Sequence, residues 1–244
     1  MLKFQFLGIN GSMQERGGGN TSLLLWGENG CVAVDVSCNI AEIVKADIDA
    51  VILTHEHIDH IYGLPSLIHQ MWLSGRKQDL QIYTSEPMRD FVNGLIDLFQ
   101  LRRKNGMFEI RVCAETEFQV GTMHVSVFST DHTDMSIGVS VEEGGRKMVY
   151  TSDTRPMQEE NLDLRQAEVL IHEASGLQED EEELVRKGHS SAFDAGSLAR
   201  QWNVKRLYLC HLPNKKDIQK QILEQALAVF PNAEIPALLT PYLL

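Results

Sequence analysis

The chain has 244 residues, of which 43% are hydrophobic and 23% are charged, so its composition is that of a folded globular protein and excludes a disordered or collagen-like one. The formal net charge of −12 argues against general binding of nucleic acid, because such binding relies on basic side chains. It does not exclude a local basic patch. No stretch approaches the roughly 18 apolar residues of a membrane helix, and the first residues lack the apolar core of a signal peptide. The four cysteines show no CxxC spacing and are expected to be reduced thiols. We therefore expect a cytoplasmic protein without membrane contacts.

The first half of the chain alternates short apolar runs with helical patterns. Two runs flank Gly27-Glu28-Asn29-Gly30, which predicts a β-hairpin. Apolar residues at helical spacing predict two helices. In chain order, we expect strands at Phe4–Leu7, Thr21–Trp26, Cys31–Val36 and Ala50–Leu53, a helix at Leu64–Leu73, a strand at Gln81–Thr84 and a helix at Met88–Leu101.

The second half begins with strands and ends with two strand–helix units. Gly144-Gly145 between two apolar runs predicts another hairpin. The acidic run Glu179–Glu183 is expected to be a solvated loop. The predicted elements, in chain order, are strands at Val120–Phe128, Ile137–Val141, Lys147–Tyr150 and Val169–Ile171, a helix at Ala192–Gln201, a strand at Arg206–Cys210 and a helix at Asp217–Phe230. This alternation predicts one α/β domain over residues 1–244, with mixed sheets and outer helices.

The densest group of metal-ligand side chains follows the run Ala50–Leu53. In Thr54-His55-Glu56-His57-Ile58-Asp59-His60, three histidines and an aspartate lie within six residues. Neutral imidazole and carboxylate are ligands for Zn²⁺ and related divalent ions. Because alternate residues of an extended segment point to the same side, His55 and His57 can share one ion. Asp59 and His60 lie beyond the bend and can serve a second ion.

The pattern HxHxDH after a strand resembles the signature of the metallo-β-lactamase superfamily. Further positions of that superfamily are matched, in order, by Asp35, His132, Asp153 and His211. Finer details resemble its ribonuclease Z branch, namely Phe6-Leu7-Gly8, Asp59-His60-Ile61-Tyr62-Gly63-Leu64-Pro65, Leu170-Ile171-His172-Glu173-Ala174 and Lys187-Gly188-His189-Ser190-Ser191. The resemblance covers essentially the whole chain and implies a four-layer αβ/βα sandwich with two mixed β-sheets and outer helices.

The resemblance also implies a centre of two divalent metal ions. Histidine-rich ligands favour zinc, with manganese or iron as alternatives. The implied ligands are His55, His57 and His132 for the first ion and Asp59, His60 and His211 for the second, with Asp153 bridging. A metal-bridging hydroxide would attack phosphorus, Asp59 would accept its proton, and His189 would donate a proton to the leaving oxygen or hydrogen-bond the phosphate. Glu173 would orient His189 or another neighbour, and Asp35 would fix the tautomer of a ligand histidine.

The substrate class stays open at this point. The resemblance implies a phosphodiesterase that acts on a small or cyclic phosphodiester or on a tRNA 3′ end, and it implies a homodimer. Ribonuclease Z enzymes commonly carry a long tRNA-binding arm between the positions of His132 and Asp153, which here are only 21 residues apart. The cluster Arg102-Arg103-Lys104 is a place where RNA could be contacted instead. The alternative is a hydrolase of carboxylic esters, thioesters or lactones with the same metal centre, whereas a non-catalytic binding module is disfavoured because every metal-ligand position is filled.

Overall fold

Two β-sheets stack face to face at the centre of the molecule. The computed structural model describes residues 1–157 and 164–244. Within those residues the first sheet consists of β1 (Lys3–Gly8), β2 (Ser22–Trp26), β3 (Cys31–Val34), β4 (Ala50–Ile52), β5 (Leu80–Tyr83), β6 (Ile110–Cys113) and β14 (Pro241–Leu243). The second consists of β7 (Glu117–Val120), β8 (Met123–Ser129), β9 (Ile137–Glu143), β10 (Arg146–Tyr150), β11 (Val169–Glu173), β12 (Arg206–Cys210) and β13 (Ala233–Glu234).

Both sheets are mixed, and they are mixed in the same way. The first sheet has the order β14-β1-β2-β3-β4-β5-β6, with antiparallel pairing from β14 to β3 and parallel pairing from β3 to β6. The second has the order β13-β12-β11-β10-β9-β8-β7, with antiparallel pairing from β7 to β10 and parallel pairing from β10 to β13. Each sheet therefore has a parallel half whose strands end at a common edge.

Helices cover the outer face of each sheet. The helices are α1 (Ile40–Lys45), α2 (Ile58–Ile61), α3 (Leu64–Leu73), α4 (Glu86–Leu98), α5 (Glu181–Lys187), α6 (Ala192–Gln201) and α7 (Lys216–Val229). Helices α3 and α4 bury Leu67 and Val92 in one cluster with Val51 of β4. Helix α6 packs against β11, β12 and α7 on the other side. The predicted four-layer αβ/βα sandwich is confirmed. None of the helices in residues 1–157 and 164–244 is long and apolar enough to cross a membrane.

The space between the sheets is filled by large apolar side chains. Phe4 and Phe6 of β1 are fully buried and pack against Tyr208 of β12, with ring centroids 5.4 and 5.7 Å from that of the tyrosine. Burying one such side chain contributes about 1.5–3 kcal/mol relative to leaving it in water. This packing holds the two sheets, and therefore the loops at their edges, in a fixed relation.

Three local predictions need correction. The predicted strand Val120–Phe128 is wrong as a single strand, because a turn at Gly121-Thr122 separates β7 from β8, which pair antiparallel. The predicted helix Met88–Leu101 ends early, because Gln100 takes a left-handed conformation (φ 52°) before the 3₁₀ turn Leu101–Arg103. The predicted loop Glu179–Glu183 is helical throughout. It begins in the 3₁₀ turn Gln178–Asp180 and continues into α5, whose first turn has exposed carboxylates that favour a helix N-terminus.

Candidate metal centre

Loops after strands of both sheets bring the predicted metal ligands together. The segment Thr54–His60 follows β4, Asp153 follows β10, and His211 follows β12 directly. Ligand sites of α/β sheets lie at such carboxyl ends of strands. The ligand atoms of His55, His57, His132 and Asp153 lie within 4.8 Å of one another, as do those of Asp59, His60 and His211. All seven predicted ligands are thus gathered in two groups.

Asp153 lies between the two groups. Its Oδ2 atom is 3.1 Å from Nε2 of His211, 3.5 Å from Nε2 of His60, and 3.7 and 3.8 Å from Nε2 of His55 and His132. Burial alone would raise the pKa of this carboxyl, but the surrounding histidines, His211 and His60 first, hold it well below its ordinary value. A carboxylate in this position can contact a cation in either group.

Buried polar atoms without partners show that the donor set fits metal ions. In the described part of the chain, Nε2 of His55, Nε2 of His60 and Oδ1 of Asp153 are buried and make no hydrogen bond. A buried polar atom without a partner is costly. Two imidazole nitrogens and a carboxylate oxygen that face one another are the donors that divalent transition metals take. These residues therefore could bind metal.

Asp35 organises two of these histidines. Its Oδ2 accepts a hydrogen bond from Nδ1 of His60 at 2.7 Å, so Nε2 of His60 is left for the centre. Thr54 donates its hydroxyl proton to the same carboxylate and lies 3.0 Å from Nδ1 of His55. Since that hydroxyl proton is already used, Nδ1 of His55 is the donor in the second contact. Asp35 therefore contacts a candidate ligand histidine, as the resemblance implies, and it reaches a second one through Thr54.

A backbone carbonyl fixes His132 in the same way. Nδ1 of His132 donates to the carbonyl oxygen of Gly188 at 2.7 Å, because a carbonyl can only accept. Gly188 has φ 88°, and a Cβ at this position would lie 2.6 Å from Nδ1 of His132. Only glycine therefore allows this approach.

Glu173 and His189 form a pair at the opening of the centre. Glu173 is fully buried, and its carboxylate lies 3.1 Å from Nδ1 of His189, which is 18% exposed. Burial lowers the pKa of His189, but the hydrogen bond and charge of Glu173 outweigh this effect and raise the pKa to about 9. His189 precedes α6, whose start is fixed by a capping box between Ser191 and Asp194.

The backbone is strained where three of the strands end. Asp35, Ser152 and His211 take left-handed conformations with φ of 56°, 56° and 52° after β3, β10 and β12. Such conformations cost free energy for residues with a side chain and cluster at functional sites. Here they turn the chain so that polar side chains leave the sheet edge and face the centre.

Comparison with known proteins shows the family of the chain. Residues 38–212 match the family described as beta-lactamase superfamily domain. The chain belongs to the metallo-β-lactamase superfamily. Curated relatives include ribonuclease Z of Archaeoglobus fulgidus, 27% identical over 298 aligned positions that cover 96% of this chain and 95% of that protein. Ribonuclease Z of Bacillus cereus is 24% identical over 241 positions, covering 77% and 78% of the two chains.

Solved structures of the superfamily share the fold over the whole length. The metallo-β-lactamase fold protein YhfI of Bacillus subtilis superposes with a TM-score of 0.81 at 20% identity, covering 99% of this chain and 98% of that one. Human tRNase Z, short form, gives 0.78 at 23% identity with 98% of each chain covered. A diphosphatase of the PhnP family gives 0.76 at 15% identity, covering 100% and 98%.

This superfamily member is shorter than its ribonuclease Z relative from Archaeoglobus fulgidus. Their alignment spans 298 positions, whereas this chain has 244 residues, so the relative contains segments that have no counterpart here. Between His132 and Asp153 the chain forms the plain hairpin of β9 and β10. The long arm that the sequence predicts to be absent from this connection is indeed absent from it.

The structure adds two polar contacts that the sequence analysis missed. Ser12 donates to Oδ2 of Asp59 at 3.1 Å. Ser175 lies between Glu173 and His211, with its Oγ 2.6 Å from Oε2 of the glutamate and 2.9 Å from Nδ1 of the histidine. Ser175 stands two residues after Glu173, so alternation along an extended segment was a signal for their shared side. Ser12 lies in a loop, where no sequence periodicity predicts its contact with Asp59.

Proposed function

We propose that this protein is a metal-dependent phosphodiesterase of the ribonuclease Z type, which hydrolyses a phosphodiester bond at an RNA 3′ end. The observation that carries the proposal is the His189–Glu173 pair beside the two groups of metal ligands. Cleavage of a phosphodiester bond expels an alkoxide, and a proton donor beside the ligand groups can protonate that oxygen as it leaves. The curated relatives named ribonuclease Z support the same reaction class.

The proposed reaction uses two metal ions. His55, His57 and His132 would hold one ion, Asp59, His60 and His211 the other, with Asp153 between them. Neutral imidazoles with two carboxylates favour zinc, and manganese or iron would accept the same donors. When bound, such a pair of ions lowers the pKa of water and stabilises the negative charge that grows on a phosphoryl group.

Asp59 is proposed as the proton acceptor. Burial raises the pKa of its carboxyl, but the hydrogen bond and charge of His211 and the charge of His60 hold it well below the ordinary value. The carboxylate is therefore ionised at neutral pH, as a proton acceptor has to be. Ser12 donates to the same oxygen, which holds the carboxylate at the opening of the centre.

His189 is proposed as the proton donor to the leaving oxygen. Because its Nδ1 is held by Glu173, its Nε2 is the atom left to face substrate. With a pKa of about 9, the ring carries its proton at neutral pH. Glu173 would act as a positioning residue, since it contacts the histidine and not the reacting atoms.

A small phosphodiester is the second candidate substrate. Two observations favour it, namely the plain hairpin between His132 and Asp153 and the net charge of −12, which repels a long polyanion. The two candidates share the centre and differ only in what lies outside it. A hydrolase of carboxylic esters, thioesters or lactones stays as the alternative from another reaction class.

The test is a paired hydrolysis assay on metal-loaded protein. One sample contains a tRNA precursor with a 3′ trailer and the other contains bis(p-nitrophenyl) phosphate. Cleavage of the trailer at one position supports the proposal. Fast cleavage of the small diester, with the precursor left intact, would mean that the substrate is a small phosphodiester and not RNA. If metal is bound and neither is cleaved, the phosphodiesterase proposal is wrong and esters and lactones are tested next.

A homodimer in the cytoplasm is part of the proposal. Beside the segment Thr54–His60 lies an apolar groove of about 720 Å³, lined by Ile58, Tyr62, Phe91, Leu95 and Phe99. Ile58 is 75% exposed and Phe99 is 54% exposed. Apolar groups clustered in this way usually mark an interaction surface, and a second copy of this chain is the partner that the superfamily resemblance implies. Free cysteines, in the described residues, suit a reducing compartment.

A further inference from the structure

His211 is a candidate ligand whose Nδ1 contacts a serine hydroxyl rather than a carbonyl or a carboxylate oxygen. Its Nε2 faces the centre, 3.1 Å from Oδ2 of Asp153 and 3.4 Å from Oδ2 of Asp59. Its Nδ1 faces away from the centre, 2.9 Å from Oγ of Ser175. A neutral imidazole carries one proton, so the contact at Nδ1 decides whether Nε2 has a free lone pair.

The direction of each hydrogen bond follows from the Glu173 carboxylate. Its Oε1 accepts from the backbone N–H of Thr154 at 2.7 Å, and both oxygens lie near Nδ1 of His189. Oγ of Ser175 lies 2.6 Å from Oε2, and the hydroxyl must donate there because a carboxylate only accepts. The longer contact of Ser175 with the carbonyl of His211, at 3.3 Å, is the weaker competitor for that proton.

We propose that Ser175 is a positioning residue that locks His211 in the tautomer with the proton on Nδ1, so that Nε2 is free to bind a divalent cation. The single hydroxyl proton goes to Glu173, and Oγ then offers only lone pairs to the histidine. Glu173 thereby orients two histidines of the centre, His189 directly and His211 through Ser175. This inference rests on the proposed metal centre but not on the identity of the substrate.

The same arrangement of a carboxylate, a hydroxyl and a histidine occurs beside the first sheet. Asp35 holds His60 directly and reaches His55 through the hydroxyl of Thr54. In both cases a buried carboxylate takes a hydroxyl proton, and the hydroxyl oxygen faces Nδ1 of a histidine. Because the arrangement occurs twice, at residues of different sheets, we interpret it as a way to orient ligand histidines and not as a chance contact.

Packing around His211 holds the plane of its ring. Its ring stacks on that of His189, with centroids 5.1 Å apart and an interplanar angle of 20°. A Cβ on Gly11 would lie 2.9 Å from Cε1 of His211, so the backbone at Gly11 closely approaches the ring. In this plane a half-turn of the ring would put Cδ2 against the Ser175 hydroxyl and Cε1 against the Asp153 carboxylate, so the hydrogen bonds select the orientation with Nδ1 at Ser175.

Strand pairing does not require the Ser175 hydroxyl. The backbone N–H of Ala174 donates to the carbonyl of Cys210 at 2.9 Å, and the N–H of Ser175 donates to the carbonyl of Ser190 at 3.1 Å. These main-chain bonds hold the segment in any variant with an ordinary side chain at position 175. Loss of the hydroxyl should act on His211 without disturbing the fold.

The first test reads the tautomer of His211 in metal-free protein, at a pH above that at which its imidazolium loses a proton. Long-range ¹H–¹⁵N NMR distinguishes the protonated from the unprotonated ring nitrogen, and His211→Asn assigns the signals. We expect the Nδ1–H tautomer in the wild type and in Ser175→Thr, and a mixture of tautomers in Ser175→Ala. An Nε2–H tautomer in the wild type would overturn the proposal without any need for a variant.

The second test measures metal binding by competition with a chelator. Removing a partner that orients a metal-bound histidine typically costs about 10- to 100-fold in affinity. We expect that loss for one of the two Zn²⁺ ions in Ser175→Ala and wild-type affinity in Ser175→Thr. Unchanged tautomer and unchanged affinity in a folded Ser175→Ala would refute the role. If the tautomer is as expected and metal binds, but neither phosphodiester is cleaved, the proposed function fails while this inference stands.

Discussion

Nε2 of His132 lies 2.9 Å from Nδ1 of His57, although the two residues are 75 positions apart in the chain. His132 carries its own proton on Nδ1, because that atom donates to the carbonyl of Gly188. Its Nε2 therefore presents a lone pair toward His57 at the opening of the centre. The same atom lies 3.8 Å from the Asp153 carboxylate, so three candidate ligands from three segments point at one place.

Asp153 and His189 should have separable roles. Asp153→Asn keeps the volume of the side chain but removes the charge between the two groups, and we expect loss of bound metal, measured by elemental analysis. His189→Ala should keep its metal and lose about 10²–10⁴-fold in turnover of bis(p-nitrophenyl) phosphate, the range for a proton donor.

The matched control for His189 is His124→Ala, since His124 is an exposed histidine of β8 outside the centre. That variant should keep both its metal and its turnover. Equal loss of metal in the Asp153 and His189 variants would contradict the separation of roles.

Asp35→Ala should weaken metal binding although Asp35 is not itself a candidate ligand. It leaves Nδ1 of His60 and the hydroxyl of Thr54 buried without their acceptor. We expect about 10- to 100-fold weaker binding and a lower melting temperature, since an unsatisfied buried group costs about 1–3 kcal/mol. Asp90→Ala, at an exposed aspartate of α4, is the control. Wild-type affinity in Asp35→Ala would show that His60 needs no such support.

Phe99→Asp should dissociate the proposed dimer. The substitution places a charge in the apolar groove beside Thr54–His60, where Phe99 is half exposed. Light scattering after gel filtration should give the mass of a dimer for the wild type and of a monomer for the variant. Leu227→Asp, at an exposed position of α7, should stay dimeric. A monomeric wild type would contradict the proposed homodimer.

Cys31 should make the folded state less stable at alkaline pH. Burial first, and then the charge of Asp49, raise the pKa of its thiol from 9.0 to about 12. Unfolded chains lose this proton above pH 9.0, whereas the folded state keeps it, so stability is lost as the pH rises between the two values. The free energy of unfolding should fall more steeply with pH in the wild type than in Cys31→Ala. Equal slopes would show that the thiol ionises as easily in the folded state.

The sequence predicts the fold and the ligand groups because both depend on local patterns. The helices at 64–73 and 192–201 and the strand at 206–210 lie where the periodicity places them. The motif from His55 to His60 puts four donor side chains into one short segment, which no packing argument explains. The split of the 120–128 run was missed because apolar residues alternate on both sides of the turn, and this alternation hides the reversal of the chain.

The hydrogen bonds that orient the histidines could not be predicted in the same way. The carbonyl of Gly188 and the hydroxyl of Ser175 meet His132 and His211 only because loops of the second sheet pack together. A carbonyl has no sequence signature at all, and a serine two residues after a glutamate is common in any strand. The tautomers of the candidate ligands are therefore a property of the assembled fold.

Calorimetric titration of metal-free protein with Zn²⁺ tests the central claim most directly. The two groups of ligands around Asp153 predict two ions per chain, and Asp153→Asn should bind them far more weakly. One ion per chain in the wild type, or none, would contradict the two-metal centre on which the proposed reaction depends.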